Sequence, residues 1–344
     1  MRERGGLGAV FVAVAATASA TVENVTSGPE IDYQAAVIRA DDGTRLVVFE
    51  RLSPDTLSGD LWLTRSSDGG TNWSEPVPIV ATAANERHPT LIQLGPASYA
   101  LFYLKGSGSN FRIARATSAD GIAFAEQGTL DLGWPTAGEI NPHVIRHADG
   151  TLTMSYQRLS GGAYVAQSDD GGATWDTQRT QIAGGAALPR IAYRESDGLY
   201  LASYQVNPGN AQLRLYVKTT TDVRDWSAVP QDFAVTGNNH DSLPVVMPDG
   251  AFALFWIRAA DNSFDVVARR SPDAVGWGPT IAVTDTPDED DIEPHPLVGA
   301  SAESVELYWT RDSPAGGNAH DIVRLAAVPI GPGDAIFTDG FDGS

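Results

Sequence analysis

The sequence of 344 residues contains no cysteine, has few positive charges and has no long hydrophobic run after its first twenty residues. Without cysteine, disulfides, thiolate metal ligands and cysteine nucleophiles are excluded. Asp and Glu outnumber Lys and Arg by 43 to 23, which gives a net charge of −20. Because nucleic acids and anionic membrane surfaces bind basic faces, neither is an expected partner. No cofactor and no metal site are predicted.

The first twenty residues have the organisation of a secretory signal peptide. Arg2 and Arg4 precede an apolar stretch at residues 7–16, and Ala18-Ser19-Ala20 supplies small residues for cleavage. The apolar stretch is shorter than the roughly 20 residues that a membrane-spanning helix needs. We therefore expect residues 1–20 to be a signal peptide and the mature protein to be secreted, periplasmic or extracellular, without a membrane span.

A short motif recurs five times at nearly constant spacing. The copies start at positions 66, 118, 168, 220 and 271, which are 52, 50, 52 and 51 residues apart. This period indicates an internal structural repeat. Glycines and short polar residues suit a tight turn whose carboxylate accepts backbone N–H groups, and the terminal aromatic residue anchors the turn. The motif residues are Ser66, Asp68, Gly70, Trp73, Ser118, Asp120, Phe124, Ser168, Asp170, Gly172, Trp175, Asp222, Trp226, Asp273 and Trp277.

Each repeat contains short β-rich segments bounded by turn signals, which favours four strands per repeat. Later repeats restart near His88-Pro89, Asn141-Pro142, Pro189-Arg190, His240-Asp241 and Glu293-Pro294. Six repeats closing in a circle predict an all-β fold over residues 21–330, a six-bladed β-propeller with four-stranded antiparallel blades. Part of 21–33 is expected to complete the sixth blade, because closure removes exposed sheet edges. Residues 331–344 are expected to be a flexible C-terminal tail.

The five motifs resemble the Asp-box, or BNR repeat, of the sialidase superfamily. The resemblance implies a β-propeller and a glycan ligand, with the boxes on the outer rim and away from the active face. It also implies a catalytic set: an arginine triad for the substrate carboxylate, a tyrosine nucleophile with a glutamate partner, and an aspartate general acid.

Two segments are similar to parts of that catalytic set. Asn239-His240-Asp241-Ser242, followed by Arg258, resembles a segment that carries the glutamate and one triad arginine, with Asp241 in place of the glutamate. Arg51 followed by Asp55 resembles the segment with a site arginine and the general acid, and Asp60 is a second candidate for that acid.

Three expected elements are missing. Tyr33-Gln34-Ala35-Ala36 stands where the first triad arginine is expected, and Ser263-Phe264-Asp265 stands where the third is expected. Glu293-Pro294-His295 replaces the motif with the tyrosine nucleophile. The resemblance therefore argues against ordinary sialidase activity.

Two rows of repeated positions are expected at the central mouth. The second strands end in aromatic-x-basic patterns, and residues two apart on a strand share a face. Such arginines can bind carboxylates or sulfates while the rings stack on sugars, or they can brace the blades by pairing with acidic neighbours. The first strands bring histidines, which can line the mouth or serve as hydrogen-bonded structural residues. The binding candidates are Arg51, Arg87, Arg158, Arg190, Arg258, Arg311, Tyr156, Trp256, Trp309, His143 and His295.

Three functions remain open at this stage. The protein binds an extracellular glycan with catalysis absent or altered; it is a glycoside hydrolase or a polysaccharide lyase; or it is an interaction scaffold. The catalytic candidates are Asp241, Asp55, Glu293 and His240, and a lyase would use His143 or His240 with Tyr156 and Arg158. A monomer is expected. For the acidic run at 288–291, a solvated loop is favoured over a Ca²⁺ site, because the spacing of a calcium loop is missing.

Overall fold

The computed structural model describes residues 21–331, except 109, 210–211, 234–236, 261–262, 288 and 313–315. The predicted signal peptide and residues 332–344 of the predicted tail lie outside the described residues. Throughout the described ranges the regular secondary structure is all β, with no helix. The frequent Val, Tyr, Phe and Trp residues and the many turn glycines account for this composition, since they favour strands joined by tight turns.

After the short strand β1 (Val22–Asn24), the chain forms six successive antiparallel units, which we call blades 1 to 6. A parallel pairing of Ile31 with His320 joins blades 1 and 6 into one eight-stranded sheet. Blades 1 to 3 consist of β2 (Ile31–Arg39), β3 (Arg45–Leu52), β4 (Gly59–Ser66) and β5 (Val77–Val80); β6 (Asn85–Gly95), β7 (Ser98–Ser107), β8 (Asn110–Ser118) and β9 (Ala125–Thr129); and β10 (Glu139–Arg146), β11 (Leu152–Arg158), β12 (Gly162–Ser168) and β13 (Thr180–Gly184). Blades 4 to 6 consist of β14 (Ala186–Arg194), β15 (Leu199–Val206), β16 (Arg214–Thr220) and β17 (Gln231–Asp232); β18 (Asn239–Val246), β19 (Phe252–Ala260), β20 (Ser263–Ser271) and β21 (Ile281–Ala282); and β22 (Asp291–Val298), β23 (Ser304–Asp312) and β24 (His320–Pro329).

The N-terminal strand closes the circle. β1 pairs antiparallel with β24, with Val22 opposite Leu325, and so supplies the fourth strand of blade 6. The first strands of the blades contact one another in a complete cycle, in which β2 contacts both β6 and β22. The cycle of first strands agrees with the predicted six-bladed propeller, and the pairing of β1 with β24 confirms the predicted completion of its last blade.

The core consists of apolar layers between adjacent blades. Among the described residues there are six buried clusters, and each combines side chains from two neighbouring blades. Between blades 5 and 6, for example, Phe255 and Trp309 are both fully buried. Because apolar burial drives folding, the blades are held together mainly through these layers.

Each repeated motif forms the turn between the third and fourth strands of its blade. In blade 1 the Ser66 hydroxyl donates to Asp68 Oδ1 at 2.8 Å, and the Asn72 N–H donates to the same oxygen at 2.9 Å. Hydrogen bonds from Asn72 and Ser66 lower the pKa of Asp68 to about 2. In blade 3 the ring of Trp175 is 7% exposed and packs edge-to-face on Phe102 of blade 2. The motifs therefore stabilise turns and blade contacts.

Candidate functional site

The two ends of the propeller differ in chemistry because of the antiparallel strand order. The first strand of each blade begins at the same end as the connection between the second and third strands, whereas the five motifs lie at the opposite end. Both predicted rows of mouth residues, at the starts of the first strands and the ends of the second strands, therefore lie at one end of the molecule. We call this end the mouth.

A β-bulge interrupts every first strand near the mouth, with a register shift in all six blades. One non-glycine residue in each bulge adopts a left-handed backbone conformation, with φ between 46° and 56°. This conformation costs an L-residue about 1 kcal/mol or more. Bulges commonly redirect a side chain next to a functional site. We call these residues the bulge ring: Gln34, His88, Asn141, Leu188, Asp241 and Glu293.

Hydrogen bonds between blades support the bulge ring. In four blades, a polar side chain near the end of the second strand accepts the backbone N–H of the bulge-ring residue in the next blade. This polar residue directly follows the aromatic residue of the second-strand pattern. The pairs are Glu50 Oε2 with His88 at 3.1 Å, Gln157 Oε1 with Leu188 at 3.1 Å, Gln205 Oε1 with Asp241 at 3.0 Å, and Thr310 Oγ1 with Gln34 at 3.1 Å. The bonds hold the strained backbone in place and couple neighbouring blades.

Four bulge-ring residues, Gln34, Leu188, Asp241 and Glu293, line a cavity of about 40 Å³ near the channel axis. Its lining also includes His143 and Arg190, from the first strands of blades 3 and 4. A water molecule occupies roughly 30 Å³ of liquid, so this cavity is too small for a sugar ring. A sugar at the mouth would therefore lie above the bulge ring and direct one substituent into the cavity.

The opposite end of the channel is apolar. A cavity of about 500 Å³ lies there between side chains such as Val144, Ile191 and Val245. His143 and His295 line both cavities, so they lie between the polar and the apolar part of the channel. Polar groups that could act on a glycan are therefore concentrated at the mouth.

Among the residues that line the cavity, Glu293 has the pKa that bears most on function. Burial, followed by the nearby carboxylates of Glu50 and Asp241, raises the pKa of Glu293 to about 8. The Thr310 hydroxyl lies 3.2 Å from Glu293 Oε2. Glu293 is therefore mainly protonated at neutral pH and can donate a proton.

Asp241 comes from the adjacent blade and lines the same cavity. Its Oδ2 lies 3.1 Å from Nδ1 of His240, whose ring packs edge-to-face on Phe264. The structure thus brings together Asp241 and Glu293, and it places His240 behind Asp241. Two carboxyl groups in different environments at one site are the usual arrangement for acid–base chemistry.

The other two acidic candidates lie elsewhere. Asp55 is exposed in the connection between β3 and β4, at the mouth end but outside the cavity lining. Asp60 lies directly opposite Arg51 on β4 and is half-buried, and burial together with Glu86 raises its pKa. Neither contributes to the cavity at the axis.

Three histidines in the channel are held neutral. Burial lowers the pKa of His88 and His295 to about 4 and lowers that of His143 well below its usual range. The Ile191 N–H donates to His143 Nδ1 at 3.2 Å, a bond that needs this ring nitrogen unprotonated. His295 Nε2 lies 3.3 Å from the Val37 N and 3.2 Å from the Val37 carbonyl oxygen. His143 and His295 therefore connect adjacent blades by hydrogen bonds.

Most of the predicted arginine row braces the blades. Arg51 pairs with Asp32 at 2.6 Å, Arg158 with Glu139 at 3.2 Å, and Arg311 with Asp291 at 2.6 Å. Each arginine lies directly opposite its partner on the neighbouring strand. Arg258 lies opposite Asn239 in the same way and is half-buried. Of the two interpretations, the geometry favours bracing for Arg51, Arg158 and Arg311.

The predicted aromatic sugar platforms are wrong for three residues. Tyr156, Trp256 and Trp309 are at most 1% exposed, so none of them can stack on a sugar. The Trp256 indole donates to Asn239 Oδ1, and the Trp309 indole donates to Asp291 Oδ1. These rings point into the layers between blades, because an aromatic residue in a second strand faces the neighbouring blade.

Two further predictions need correction. The lyase set is not assembled, because Tyr156 is buried and its hydroxyl accepts the Trp134 indole N–H at 3.0 Å. In the acidic run, Asp291 is fully buried and paired with Arg311, so it does not belong to a solvated loop. Asp288 lies outside the described residues. Among the residues described, no group of three or more His, Cys, Asp or Glu side chains could hold a metal ion.

Arg87 and Arg190 lie close to the axis. Arg87 makes a bidentate ion pair with Glu50 at 3.0 and 2.8 Å. Burial alone would raise the pKa of the fully buried Glu50, but the Arg87 guanidinium and the His88 backbone N–H stabilise its carboxylate and lower that pKa. Arg190 donates to the backbone carbonyls of Asn141 and Pro189 at 3.4 and 3.2 Å.

Sequence reasoning missed the bulge ring as a unit and the residues that support it. A signal was present, because His88, Asn141, Leu188 and Glu293 all precede proline in their first strands. The supporting Glu50, Gln157, Gln205 and Thr310 all follow the aromatic residue of the second-strand pattern. The repeated X-Pro pair in the first strands would have indicated the bulge ring. The repeated polar residue in the second strands would have indicated its supporting residues.

Comparisons with known proteins agree with this architecture. The family model described as "BNR repeat-like domain" matches residues 46–303. No curated protein matches the sequence. Among the residues searched, no helix is long and apolar enough to cross a membrane.

Solved structures of low sequence identity share the fold. The GH93 α-L-arabinofuranosidase of Fusarium graminearum with arabinobiose is 15% identical, with a TM-score of 0.67 over 89% of this chain and 97% of that one. The sialidase of Trypanosoma rangeli with the inhibitor DANA is 13% identical, with a TM-score of 0.68 over 87% of this chain and 55% of that one. A Dyadobacter fermentans protein of unknown function is 14% identical, with a TM-score of 0.67 over 88% and 96%. This chain thus spans about half the length of the trypanosomal sialidase.

Proposed function

The chain belongs to the BNR repeat-like domain family, and from that premise we propose that it is a secreted, monomeric propeller that binds an extracellular glycan at its mouth and hydrolyses a glycosidic bond there. The observation that carries the proposal is the pairing of Asp241 with Glu293. Both are bulge-ring residues, they come from adjacent blades, and they line one cavity.

The two carboxyl groups suit different steps of hydrolysis. Glu293, whose pKa is raised to about 8, donates its proton to the glycosidic oxygen as the bond to the anomeric carbon breaks. The Asp241 carboxylate supports the positive charge that develops on the sugar, either by attacking the anomeric carbon or by activating a water molecule. His240 holds the Asp241 carboxylate in position from behind.

Several observations support hydrolysis over the other functions. The cavity at the mouth is lined by charged and polar side chains as well as apolar ones, and the two carboxyl groups that face it argue against a pure scaffold. The tyrosine nucleophile expected of a sialidase is replaced by Glu293-Pro294, and the tyrosine expected for a lyase is buried. The similar arabinofuranosidase and sialidase structures are glycosidases by their descriptions.

The proposal is tested by measuring reducing ends and unsaturated products released from a panel of neutral and acidic oligosaccharides. We expect new reducing ends without unsaturated products. Glu293→Gln and Asp241→Asn should each lower kcat/KM by at least about 100-fold, because each removes one of two groups that act on the same bond. Glu303→Gln is the matched control, since Glu303 is exposed at the opposite end of blade 6. Unsaturated products, or full activity in both site variants, would contradict the proposal.

A further inference from the structure

We propose that the mouth selects uncharged sugars and rejects sialic and uronic acids, a specificity that rests on the function proposed above. Three independent features of the mouth lead to this inference. They are the engagement of its arginines, the cost of adding a negative charge there, and the kind of hydrogen-bonding group that it leaves without a partner.

The arginines nearest the axis are engaged with the protein. Arg87 binds both carboxylate oxygens of Glu50, and the Glu50 side chain has no exposed surface. If Arg87 turned to a substrate carboxylate, it would leave a buried charge unpaired, which is strongly unfavourable. Arg51, Arg158 and Arg311 are engaged in the same way with Asp32, Glu139 and Asp291.

Arg190 does not provide a carboxylate site either. It lines a cavity that is too small for a sugar ring, and its guanidinium donates to two backbone carbonyls. The same cavity contains the carboxyl groups of Asp241 and Glu293, and both act electrostatically on Arg190. The charge of this guanidinium is therefore already balanced by the Asp241 carboxylate, and an anionic substituent would leave the cavity with an excess negative charge.

The mouth disfavours an additional negative charge. Burial is the largest cause that raises the pKa of Glu293 to about 8, and the carboxylates of Glu50 and Asp241 follow it. Burial is also the largest cause that raises the pKa of Tyr33 to about 12. The same burial, together with these carboxylates, disfavours a negative charge on a bound sugar.

Two buried polar atoms of the bulge ring have no hydrogen-bond partner among the described residues: Gln34 Oε1 and His88 Nδ1. An amide oxygen needs a donor, and a sugar hydroxyl donates whereas a carboxylate only accepts. A sugar that presents a hydroxyl group to Gln34 therefore satisfies the ring, and a sugar that presents its carboxylate there does not.

Matched glycan pairs test the inference directly. An oligogalacturonate and its methyl ester differ mainly in charge, as do sialyllactose and its methyl ester. We expect a glycan array, followed by calorimetry, to find binding only to neutral members, with at least about tenfold weaker binding of any acidic partner. An acidic glycan that binds as tightly as its neutral partner would overturn the specificity and leave the proposed function standing. Binding of no glycan at all would overturn both.

Variants identify the cause of the selectivity. Asp241→Asn should narrow the difference between neutral and acidic glycans, because it removes a carboxylate from the mouth. Glu293→Gln should leave the difference nearly unchanged at pH 7, because Glu293 is already mainly protonated there. Glu303→Gln removes a charge at the opposite end and should also leave the difference unchanged. Gln34→Leu removes the unpaired amide oxygen and should weaken neutral binding by about five- to tenfold. An unchanged difference in Asp241→Asn, or unaltered neutral binding in Gln34→Leu, would contradict the explanation.

Discussion

At the scale of single residues, the environment of Glu293 determines its chemistry. A glutamate in water has a pKa near 4.5, whereas burial and two neighbouring carboxylates raise the pKa of Glu293 to about 8. The left-handed backbone at Glu293, with φ of 56°, places the side chain at the axis, and the neighbouring proline fixes the following residue. The same raised pKa that suits a general acid must also affect stability, since protonation and folding are linked.

Glu293→Gln should change how stability depends on pH. The folded pKa lies above the unfolded value, so the folded protein retains a proton that the unfolded chain releases between about pH 4.5 and about pH 8. Glu293 therefore stabilises the folded state at pH values below this window, and this stabilisation is lost as the pH rises through it. We expect the melting temperature of Glu293→Gln, relative to the wild type, to rise by several degrees from about pH 5 to about pH 9.

The measurement is differential scanning fluorimetry across that range, with Glu303→Gln as the control. Glu303 is exposed, so its replacement should give a difference that varies little with pH. A constant difference for Glu293→Gln would show that its carboxyl group is not held protonated.

At the scale of elements, the repeated turn fixes each blade against its neighbour. The third turn contains Gly172 with φ of 84°, and a Cβ there would lie 2.3 Å from the Phe102 ring of blade 2. The first turn shows the same close approach, since a Cβ on Gly70 would lie 2.1 Å from the Arg324 guanidinium of blade 6. Glycine is therefore needed for two reasons, its left-handed backbone and its contact with the preceding blade.

Gly172→Ala and Gly43→Ala separate these two reasons. Gly43 has almost the same φ, 86°, but a Cβ there would meet nothing within 4 Å. Both variants should lose about 1 kcal/mol of unfolding free energy from backbone strain. Gly172→Ala should lose about 1–3 kcal/mol more, because its methyl group overpacks against Phe102. Urea unfolding measures both, and equal losses would show that the contact between blades costs nothing.

At the scale of the whole molecule, stability depends on closing the circle between blades 6 and 1. β1 completes blade 6 from the N-terminal side, and the buried Glu306 of blade 6 accepts two hydrogen bonds from Arg45 of blade 1, at 2.7 and 2.6 Å. Arg39 of blade 1 and Arg324 of blade 6 also pair with Glu306. A charge cluster at the seam adds directional contacts where the chain has no covalent continuity between its first and last blades.

Glu306→Gln should destabilise the propeller by roughly 3–5 kcal/mol, because it leaves buried guanidinium groups without their carboxylate. Glu303→Gln, three residues away and exposed, is the matched control and should have little effect. Guanidinium unfolding followed by tryptophan fluorescence measures the free energies. Equal stability of the two variants would show that the seam does not depend on this cluster.

The sequence was sufficient to predict the propeller, its six blades and the strand that completes the last one. The reason is that a local motif at a period of about 51 residues sets the length of every blade. It also indicated Asp241 and Glu293, because both stand where the first strands begin. It could not separate binding from bracing for Arg51, Arg158 and Arg311, since an aromatic-x-Arg pattern shows which side chains share a face but not what they contact.

By itself, then, the sequence determined the architecture, because turn chemistry and strand periodicity act over a few neighbouring residues. Only the tertiary structure decided the partner of each charge. Arg87 pairs with Glu50, which is 37 residues away in the sequence. The Thr310 hydroxyl contacts Glu293 on the neighbouring strand, and it accepts the N–H of Gln34 from near the other end of the chain. Burial, cross-strand register and ring closure fix these distances, and the distances determine which groups remain available to a substrate.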